Sequence, residues 1–189
     1  MKDVIIRKPR PEDAEAIARV HVQTWQQTYR GVMPDDFLDG LSVEKRAENH
    51  REYMSKTGYF LAEDGDGILG FICHGPNRAG ADVKDGEIYA LNLIDRAKRR
   101  GAGTALMQAA ARELVEQGAA RISLWVVREN EAARAFYEAM GGTCAGEEKI
   151  SNIGGRDVRE VSYVWANPSA TRLMAGSAPK KGASVSAGP

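Results

Sequence analysis

Residues 87–141 read EIYALNLIDRAKRRGAGTALMQAAARELVEQGAARISLWVVRENEAARAFYEAMG, and this stretch decides the fold. An aliphatic run is followed by a basic glycine turn and then by an alanine-rich helix, for which Gly118 is a suitable C-terminal cap. A second run, at 121–127, is apolar on both faces, as is typical of a central strand covered on each side. A strand, a helix and a strand joined by one crossover predict a parallel, right-handed unit.

The turn at 98–103, KRRGAG, lies directly before the alanine-rich helix. This order brings free backbone N–H groups and the positive end of a helix dipole to one point, which suits an anion such as a pyrophosphate. The alternative is a solvated basic loop that caps the helix. The turn lacks the Gly-Lys-Ser/Thr ending of a Walker loop, because Thr104 follows Gly103 directly.

A second helix begins near Asn130 and carries Phe136 and Tyr137 in its middle. Together with the glycine turn, this segment resembles the GNAT superfamily of N-acetyltransferases over residues 3–165. The first motif, Gln/Arg-x-x-Gly-x-Gly/Ala, matches at Gly101 and Gly103. The second, Asn-x-x-Ala-x-x-Phe-Tyr-Glu-x-x-Gly, matches at Asn130, Ala133, Phe136, Tyr137, Glu138 and Gly141.

The sequence departs from the family pattern at three positions. Lys98 replaces the usual Gln or Arg, Asn92 stands where the strand often has Tyr, and Gly142 stands where Phe is common. The lysine keeps the positive charge but gives up the fork of donors that an arginine offers. We therefore expect it to affect affinity more than function.

The resemblance implies a fold of the α/β (α+β) class. We expect a single domain over residues 1–166, with a mixed central sheet of about six to seven strands, flanking helices and a β-α-β core that binds coenzyme. It also implies acetyl-CoA as the acyl donor. The residues that this implication places at the coenzyme are Leu91, Asn92, Leu93, Lys98, Arg99, Arg100, Gly101, Ala102, Gly103, Thr104 and Asn130; Arg96 could assist them.

Tyr137 and Glu87 are the catalytic candidates. A tyrosine with a pKa of about 10 is protonated at neutral pH and can donate to a departing thiolate. In several members of the resembled family an acidic residue at the position of Glu87 removes a proton from the amine. The alternatives are that Tyr137 packs beside Phe136 and that Glu87 is an exposed carboxylate at the start of a strand. Asn130 could cap its helix, bind coenzyme, or do both.

The first long helix carries Trp25 and Tyr29, which we expect to border the acceptor pocket. His21 shares that face, and for His21 and Trp25 a place in the core is the alternative. The cysteines, Cys73 and Cys144, have neither zinc spacing nor a Cys–His arrangement, and no metal motif is present.

The amino-acid composition limits the classes of partner that we expect for this chain. The chain has 26 basic and 26 acidic residues, so its net charge gives no drive toward nucleic acid or membranes. No signal peptide or membrane-spanning run is visible, which predicts a cytoplasmic protein. Residues 167–189 are rich in Pro, Ser, Gly, Ala and Lys, and we expect a disordered tail whose deletion leaves stability unchanged.

These observations favour an N-acetyltransferase that transfers the acetyl group of acetyl-CoA to a primary amine of a small molecule, by direct attack in a ternary complex. A protein N-terminus or lysine is the alternative acceptor, and a non-catalytic acyl-CoA sensor is the alternative class. The chain could form a homodimer. The sequence does not name the acceptor.

Overall fold

The computed structural model describes residues 3–78 and 85–174. In chain order the strands and helices are β1 (Ile5–Arg7), α1 (Ala14–Thr28), α2 (Asp35–Asp39), α3 (Val43–Met54), β2 (Gly58–Asp64), β3 (Gly67–Pro76), β4 (Asp85–Leu93), α4 (Ala102–Glu116), β5 (Arg121–Val127), α5 (Glu131–Ala139), β6 (Thr143–Ile153) and β7 (Arg156–Trp165). Single 3₁₀ turns lie at Pro11–Asp13, Asp95–Ala97 and Pro168–Ala170.

The seven strands form one mixed sheet in the order β1-β2-β3-β4-β5-β7-β6. The pair β4–β5 is parallel, and the other pairs between described strands are antiparallel. This confirms the predicted fold class, and the strand count agrees with the expected six to seven. The parallel pair is the one that the strand–helix–strand pattern of residues 87–127 predicts.

The two faces of β4 pack against different helices. A Cβ atom at Gly86 would lie 3.0 Å from the side chain of Leu114 on α4, so Gly86 faces α4. Because successive residues of a strand alternate between faces, Glu87 points to the opposite face, where α1 contacts β3 and β4. The helix α4 is held through Leu106, Ala110 and Leu114, each at most 2% exposed.

The first residues of the predicted tail are packed against the domain. Pro168 is buried, and Leu173 is fully buried in the main core. The prediction of disorder is therefore wrong for residues 167–174, because one apolar side chain, that of Leu173, anchors a segment whose average composition is polar. The rest of that prediction, residues 175–189, lies outside the described residues.

Candidate active site

The N-terminus of α4 has no side-chain cap and leaves its backbone N–H groups without an acceptor inside the helix. Its N-cap residue, Gly101, has a φ of 82°, and no side chain caps the helix. The first turn carries no acidic residue. The first backbone N–H groups of a helix have no acceptor within the helix. Those of Ala102, Gly103 and Thr104 therefore supply the positive end of the dipole without a competing carboxylate.

The basic side chains of the loop divide into two groups. Arg96 and Arg100 face the carboxylate of Asp64 on the β2–β3 hairpin, with Nη1 to Oδ2 distances of 3.0 and 3.6 Å, and that side chain is 2% exposed. Lys98 pairs with Asp95 at 2.6 Å. Arg99 is exposed, has a φ of 58°, and makes no ion pair with the described residues. Arg96 and Arg100 thus connect the loop to the β2–β3 hairpin, whereas Arg99 makes no such contact with the described residues.

A gap opens between β4 and β5 beside this loop. The parallel pairing runs from Asp85↔Arg121 to Ile88↔Leu124 and goes no further along the described strands, although β4 continues to Leu93. Tyr89 is an extra residue in β4, since Cys73 pairs with Ala90 and the next residue, His74, pairs with Ile88. Bulges of this kind bend a strand and are common beside active sites.

The gap exposes one edge of Leu91, Asn92 and Leu93 toward β5, where their backbone groups have no ladder partner among the described strands. Such an edge can accept an extended ligand as an added strand. Asn92 is 7% exposed. Leu93 lies near the loop, because a Cβ atom at Gly103 would be 3.0 Å from its Cδ1 and 3.5 Å from Cζ of Phe136. Space at Gly103 is therefore limited on two sides.

The helix α5 follows β5, and a side chain caps its N-terminus. The Oδ1 atom of Asn130 accepts a hydrogen bond from the backbone N–H of Ala133 at 3.2 Å, which confirms that Asn130 caps this helix. Burial raises the pKa of the Tyr29 phenol, and the nearby Asn130 side chain partly offsets this effect. A role for Asn130 at the coenzyme stays a prediction.

Tyr137 is buried, with 7% of its surface exposed, and it packs on Phe136, Tyr163 and Trp165. Burial raises the pKa of its phenol well above the usual value, and the nearby phenol of Tyr29 adds to this effect. The group therefore keeps its proton at neutral pH. Two residues that the sequence placed in different roles, Tyr29 and Tyr137, thus lie close together.

Glu87 is 2% exposed, so the alternative of an exposed carboxylate is wrong. Arg78 holds it: the Arg78 backbone N–H donates to Oε2 at 2.9 Å, and the guanidinium donates from Nη2 to Oε1 at 2.5 Å. The side-chain hydrogen bonds to Glu87 raise the pKa of Arg78. The carboxylate can take a proton from an amine only if this pair opens, and its role as base stays a prediction.

On the acceptor side, the end of α1 and the helix α2 meet the β6–β7 hairpin. The Phe37 ring lies over the backbone of Gly154, where a Cβ atom would be 2.4 Å from its Cγ. Trp25 is half-buried between Phe37 and Tyr29, with ring centroids 6.4 and 5.4 Å apart. Trp25 and Tyr29 therefore line one wall together, next to Asn130 and Tyr137.

A buried hydrogen-bonded chain lies behind this wall, and sequence reasoning missed it. His21 Nδ1 is 3.0 Å from His50 Nε2, and His50 Nδ1 is 3.1 Å from the Tyr59 hydroxyl. Burial and the charge of Arg46 lower the pKa of His50 to about 4, and burial lowers that of His21 well below its usual value. Both imidazoles are neutral at pH 7, so the chain fixes α1 and α3 to the sheet. Its only sequence signal is the position of His21 on the Trp25 face.

Among the described residues, no three His, Cys, Asp or Glu side chains come together as metal ligands would. None of the helices in the described part of the chain has the length and apolar character that a membrane crossing requires. The predicted absence of a metal stays a prediction.

Comparison with known proteins identifies the family of this chain. The acetyltransferase (GNAT) family model matches residues 20–142. The chain therefore belongs to the GNAT family and is an acyltransferase.

Two relatives and one solved structure show how similar this chain is to known proteins. The chain is 34% identical to the uncharacterized N-acetyltransferase YuaI of Bacillus subtilis, over 90% of this chain and 98% of that protein. It is 30% identical to a mycothiol acetyltransferase of Amycolatopsis mediterranei, over 70% of this chain and 43% of that protein. The PaiA N-acetyltransferase of Thermoplasma acidophilum, solved with coenzyme A, superposes with a TM-score of 0.65 at 20% identity, covering 84% and 98% of the two chains.

Proposed function

We propose that the protein transfers the acetyl group of acetyl-CoA to a primary amine of a small molecule, by direct attack in a ternary complex. One observation carries the proposal: the β4–β5 pairing stops at Ile88↔Leu124, next to a helix N-terminus that has neither a side-chain cap nor an acid. A gap that offers free strand edge and leads to an anion site suits a ligand with a long amide-bearing arm and a pyrophosphate.

The residues present fit this cosubstrate. Ala102, Gly103 and Thr104 would bind the pyrophosphate through backbone N–H groups, with Arg99 beside them. The backbone of Leu91–Leu93 would hold the arm and place an N–H near the thioester oxygen, where it stabilises developing negative charge. Bound acetyl-CoA supplies a thioester that a neutral amine can convert to an amide, with release of a thiol.

Two side chains would move the protons. An alkylamine with a pKa near 10.4 is almost fully protonated at pH 7, so a base must first take one proton from its nitrogen. Glu87, on the face opposite α4, is our candidate, directly or through water, once Arg78 releases it. Tyr137 would donate its phenolic proton to the departing thiolate sulfur, and the second proton that the nitrogen loses as the amide forms would restore the phenol. The burial that raises the pKa of Tyr137 also disfavours a thiolate in the same surroundings, so the two groups are matched for this transfer.

The closed acceptor side supports a small molecule over a polypeptide. Phe37 on α2 contacts Gly154 in the β6–β7 turn, and Trp25, Tyr29, Val127 and Val158 fill the space behind that contact. A polypeptide that crosses the site would need an open trough between these elements. A free amine on a compact molecule needs only an opening at one end.

A thiol-release assay with acetyl-CoA and a panel of small amines, amino acids and peptides tests the proposal. We expect thiol release with at least one small amine and none with lysine-containing peptides. Release only with peptides would overturn the small-molecule acceptor, and coenzyme binding without any release would favour the sensor. The cytoplasmic location and the homodimer stay predictions.

A further inference from the structure

A cavity lies at the end of the sheet that is opposite to the N-terminus of α4. Its volume is about 650 Å³, within the roughly 300–1,000 Å³ that is usual for small-ligand pockets. Its wall includes Gly58 at the start of β2, Pro76 at the end of β3, and Gln117 directly after α4. Because the 15 residues of α4 rise by about 1.5 Å each, the cavity lies roughly 20 Å from the proposed pyrophosphate site.

Basic side chains outnumber acidic ones in the wall of this cavity. One acidic side chain, that of Glu113, is accompanied by four basic ones, those of Lys8, Arg10, Arg51 and Lys56. Both lysines have a carboxylate partner, which for Lys8 is Glu113 itself. Arg10 and Arg51 are exposed and make no ion pair with another described residue. The cavity therefore presents two guanidinium groups to a ligand that carries negative charge.

The helix ends at this cavity do not attract a cation in their place. Two carbonyls in the last turn of α3 accept hydrogen bonds from side chains, those of Ser55 and Thr57. The last carbonyls of α4 accept from the backbone N–H groups of residues 117–119. The oxygen atoms that a cation would need are thus occupied within the chain.

A buried histidine lies directly behind the cavity wall. His74 is fully buried, and neither of its ring nitrogens has a hydrogen-bond partner among the described residues. The ring edge that carries both nitrogens faces Gly58, where a Cβ atom would lie 2.5 Å from Nε2 and 2.7 Å from Nδ1. Since Gly58 lines the cavity, the polar edge of His74 is turned toward it.

The charged groups that act on His74 also belong to the cavity. Burial lowers the pKa of His74 to about 4, while the Glu113 carboxylate opposes this effect and the Lys8 ammonium adds to it. Lys8 Nζ lies 4.0 Å from the centre of the Phe60 ring, which stacks on His74. The imidazole is therefore neutral at pH 7, with one N–H to donate. A buried donor without a partner is unfavourable, and an anion beside it would supply the acceptor.

We propose that this cavity binds a small polyanionic molecule, a carboxylic acid or a phosphate ester, through Arg10 and Arg51, with His74 donating a hydrogen bond to the same molecule. Guanidinium groups bind carboxylate and phosphate alike through paired donors. The volume of the cavity suits a molecule larger than one inorganic anion. This site is independent of the proposed function, because it shares no residue with the coenzyme or acceptor sites.

Nuclear magnetic resonance of the imidazole Cε1–H groups tests the proposal, since the chain has three histidines and each gives one signal. Citrate and glycerol 3-phosphate are the probes, each titrated against a sodium chloride blank of equal ionic strength. Coenzyme A is present at one equivalent, so that the α4 N-terminus is occupied. We expect a saturable shift of the His74 signal with at least one probe and no shift for His21. A response to citrate alone would assign a carboxylic acid, and a response to glycerol 3-phosphate alone a phosphate ester.

Arg51→Gln should weaken this binding by roughly tenfold, as for the loss of one charge-assisted contact, and Arg51→Lys should keep part of it. Arg19→Gln, which removes an exposed arginine of α1 that does not line the cavity, is the matched control and should bind as the wild type does. Melting temperatures confirm that the variants are folded, and we expect no change because the Arg51 side chain is exposed.

Two results would overturn the proposal: a His74 signal that shifts with neither probe, and a shift that is equally strong in Arg51→Gln. Calorimetry with coenzyme A on the same samples keeps the two proposals apart. Coenzyme binding without a His74 shift would exclude this site alone. A saturable His74 shift in a protein that does not bind coenzyme A would exclude the proposed function alone.

Discussion

The helices α4 and α5 each follow one of the two strands that border the gap in the sheet, but their N-termini differ. The helix α4 begins at a glycine, without a side-chain cap or an acid in its first turn. The helix α5 begins at Asn130, which caps it, and carries Glu131 in its first turn. The first helix therefore offers its backbone to a ligand, whereas the second uses its N-terminus for its own stability and offers a side chain, Tyr137. The proposed role of α4 depends on a glycine, which has no side chain, at its N-terminus. The proposed role of α5 depends on one particular side chain, that of Tyr137.

The largest effect should come from a negative charge at the open helix. Gly103→Asp should weaken coenzyme A binding by roughly 10³-fold or more, because two like charges 4 Å apart repel by about 4 kcal/mol at an effective dielectric constant of 20. Calorimetry measures this. Gly103→Ala separates the charge from the added Cβ, and Glu131→Gln makes a charge change at the closed helix that should leave affinity unchanged. An unaltered affinity in folded Gly103→Asp would contradict the role of α4.

Tyr137→Phe tests the side chain that α5 contributes. It keeps the ring contacts and removes the proton donor, so turnover should fall by roughly 10³-fold, within the range for one acid–base group. Steady-state kinetics and calorimetry together should show lower turnover with unchanged coenzyme affinity. Tyr163→Phe, whose ring centroid is 5.9 Å from that of Tyr137, is the matched control. Near-normal turnover in Tyr137→Phe would reduce the residue to packing.

Glu87→Gln asks whether a second side chain moves a proton. We expect a rate loss of roughly 10²-fold near neutral pH, and recovery as the pH approaches the pKa of the amine, where solvent supplies the neutral nucleophile. The pH–rate profile of the variant decides this. An equal loss at every pH would instead indicate that the Glu87–Arg78 pair positions the acceptor.

Leu173→Ala tests the C-terminal segment, residues 167–174, which accepts a hydrogen bond from Gln108 on α4 and lies beside Gly141, just after α5. Truncation of a fully buried leucine should lower the free energy of unfolding by about 2–3 kcal/mol, which denaturant titration measures. Deletion of residues 175–189 should leave it unchanged. Equal stability of Leu173→Ala and the wild type would mean that the segment is not needed for folding.

The smallest effect should come from the cap of α5. Asn130→Ala should lower the free energy of unfolding by about 1 kcal/mol, and Asn130→Asp, which still accepts from the Ala133 N–H, should restore most of it. Calorimetry on the same pair also tests coenzyme binding. A large loss of coenzyme affinity in both variants would show that this N-terminus, too, contacts the ligand.

The fold around the glycine turn could be predicted because its signals are local. The glycine turn, the Asn130 cap and the alternation in β5 are each encoded within a few residues. The pairs that complete the site are distant in sequence: Asp64 with Arg96, and His21 with His50. Nothing in the composition of either segment indicates its partner. Leu173 was missed for a related reason, since one buried side chain does not change the average character of a polar stretch.

The position of Trp165 has a consequence for how this sequence can change. A Cβ atom at Gly142 would lie 2.7 Å from Cζ2 of the Trp165 ring, which is anchored by a 3.1 Å hydrogen bond from Nε1 to the Met140 carbonyl. The phenylalanine that is common at position 142 in the family pattern therefore cannot be introduced first. A smaller residue must replace Trp165 before phenylalanine is introduced at position 142. The two substitutions therefore have to occur in that order. A substitution that looks like a return to consensus is harmful here until its distant partner has changed.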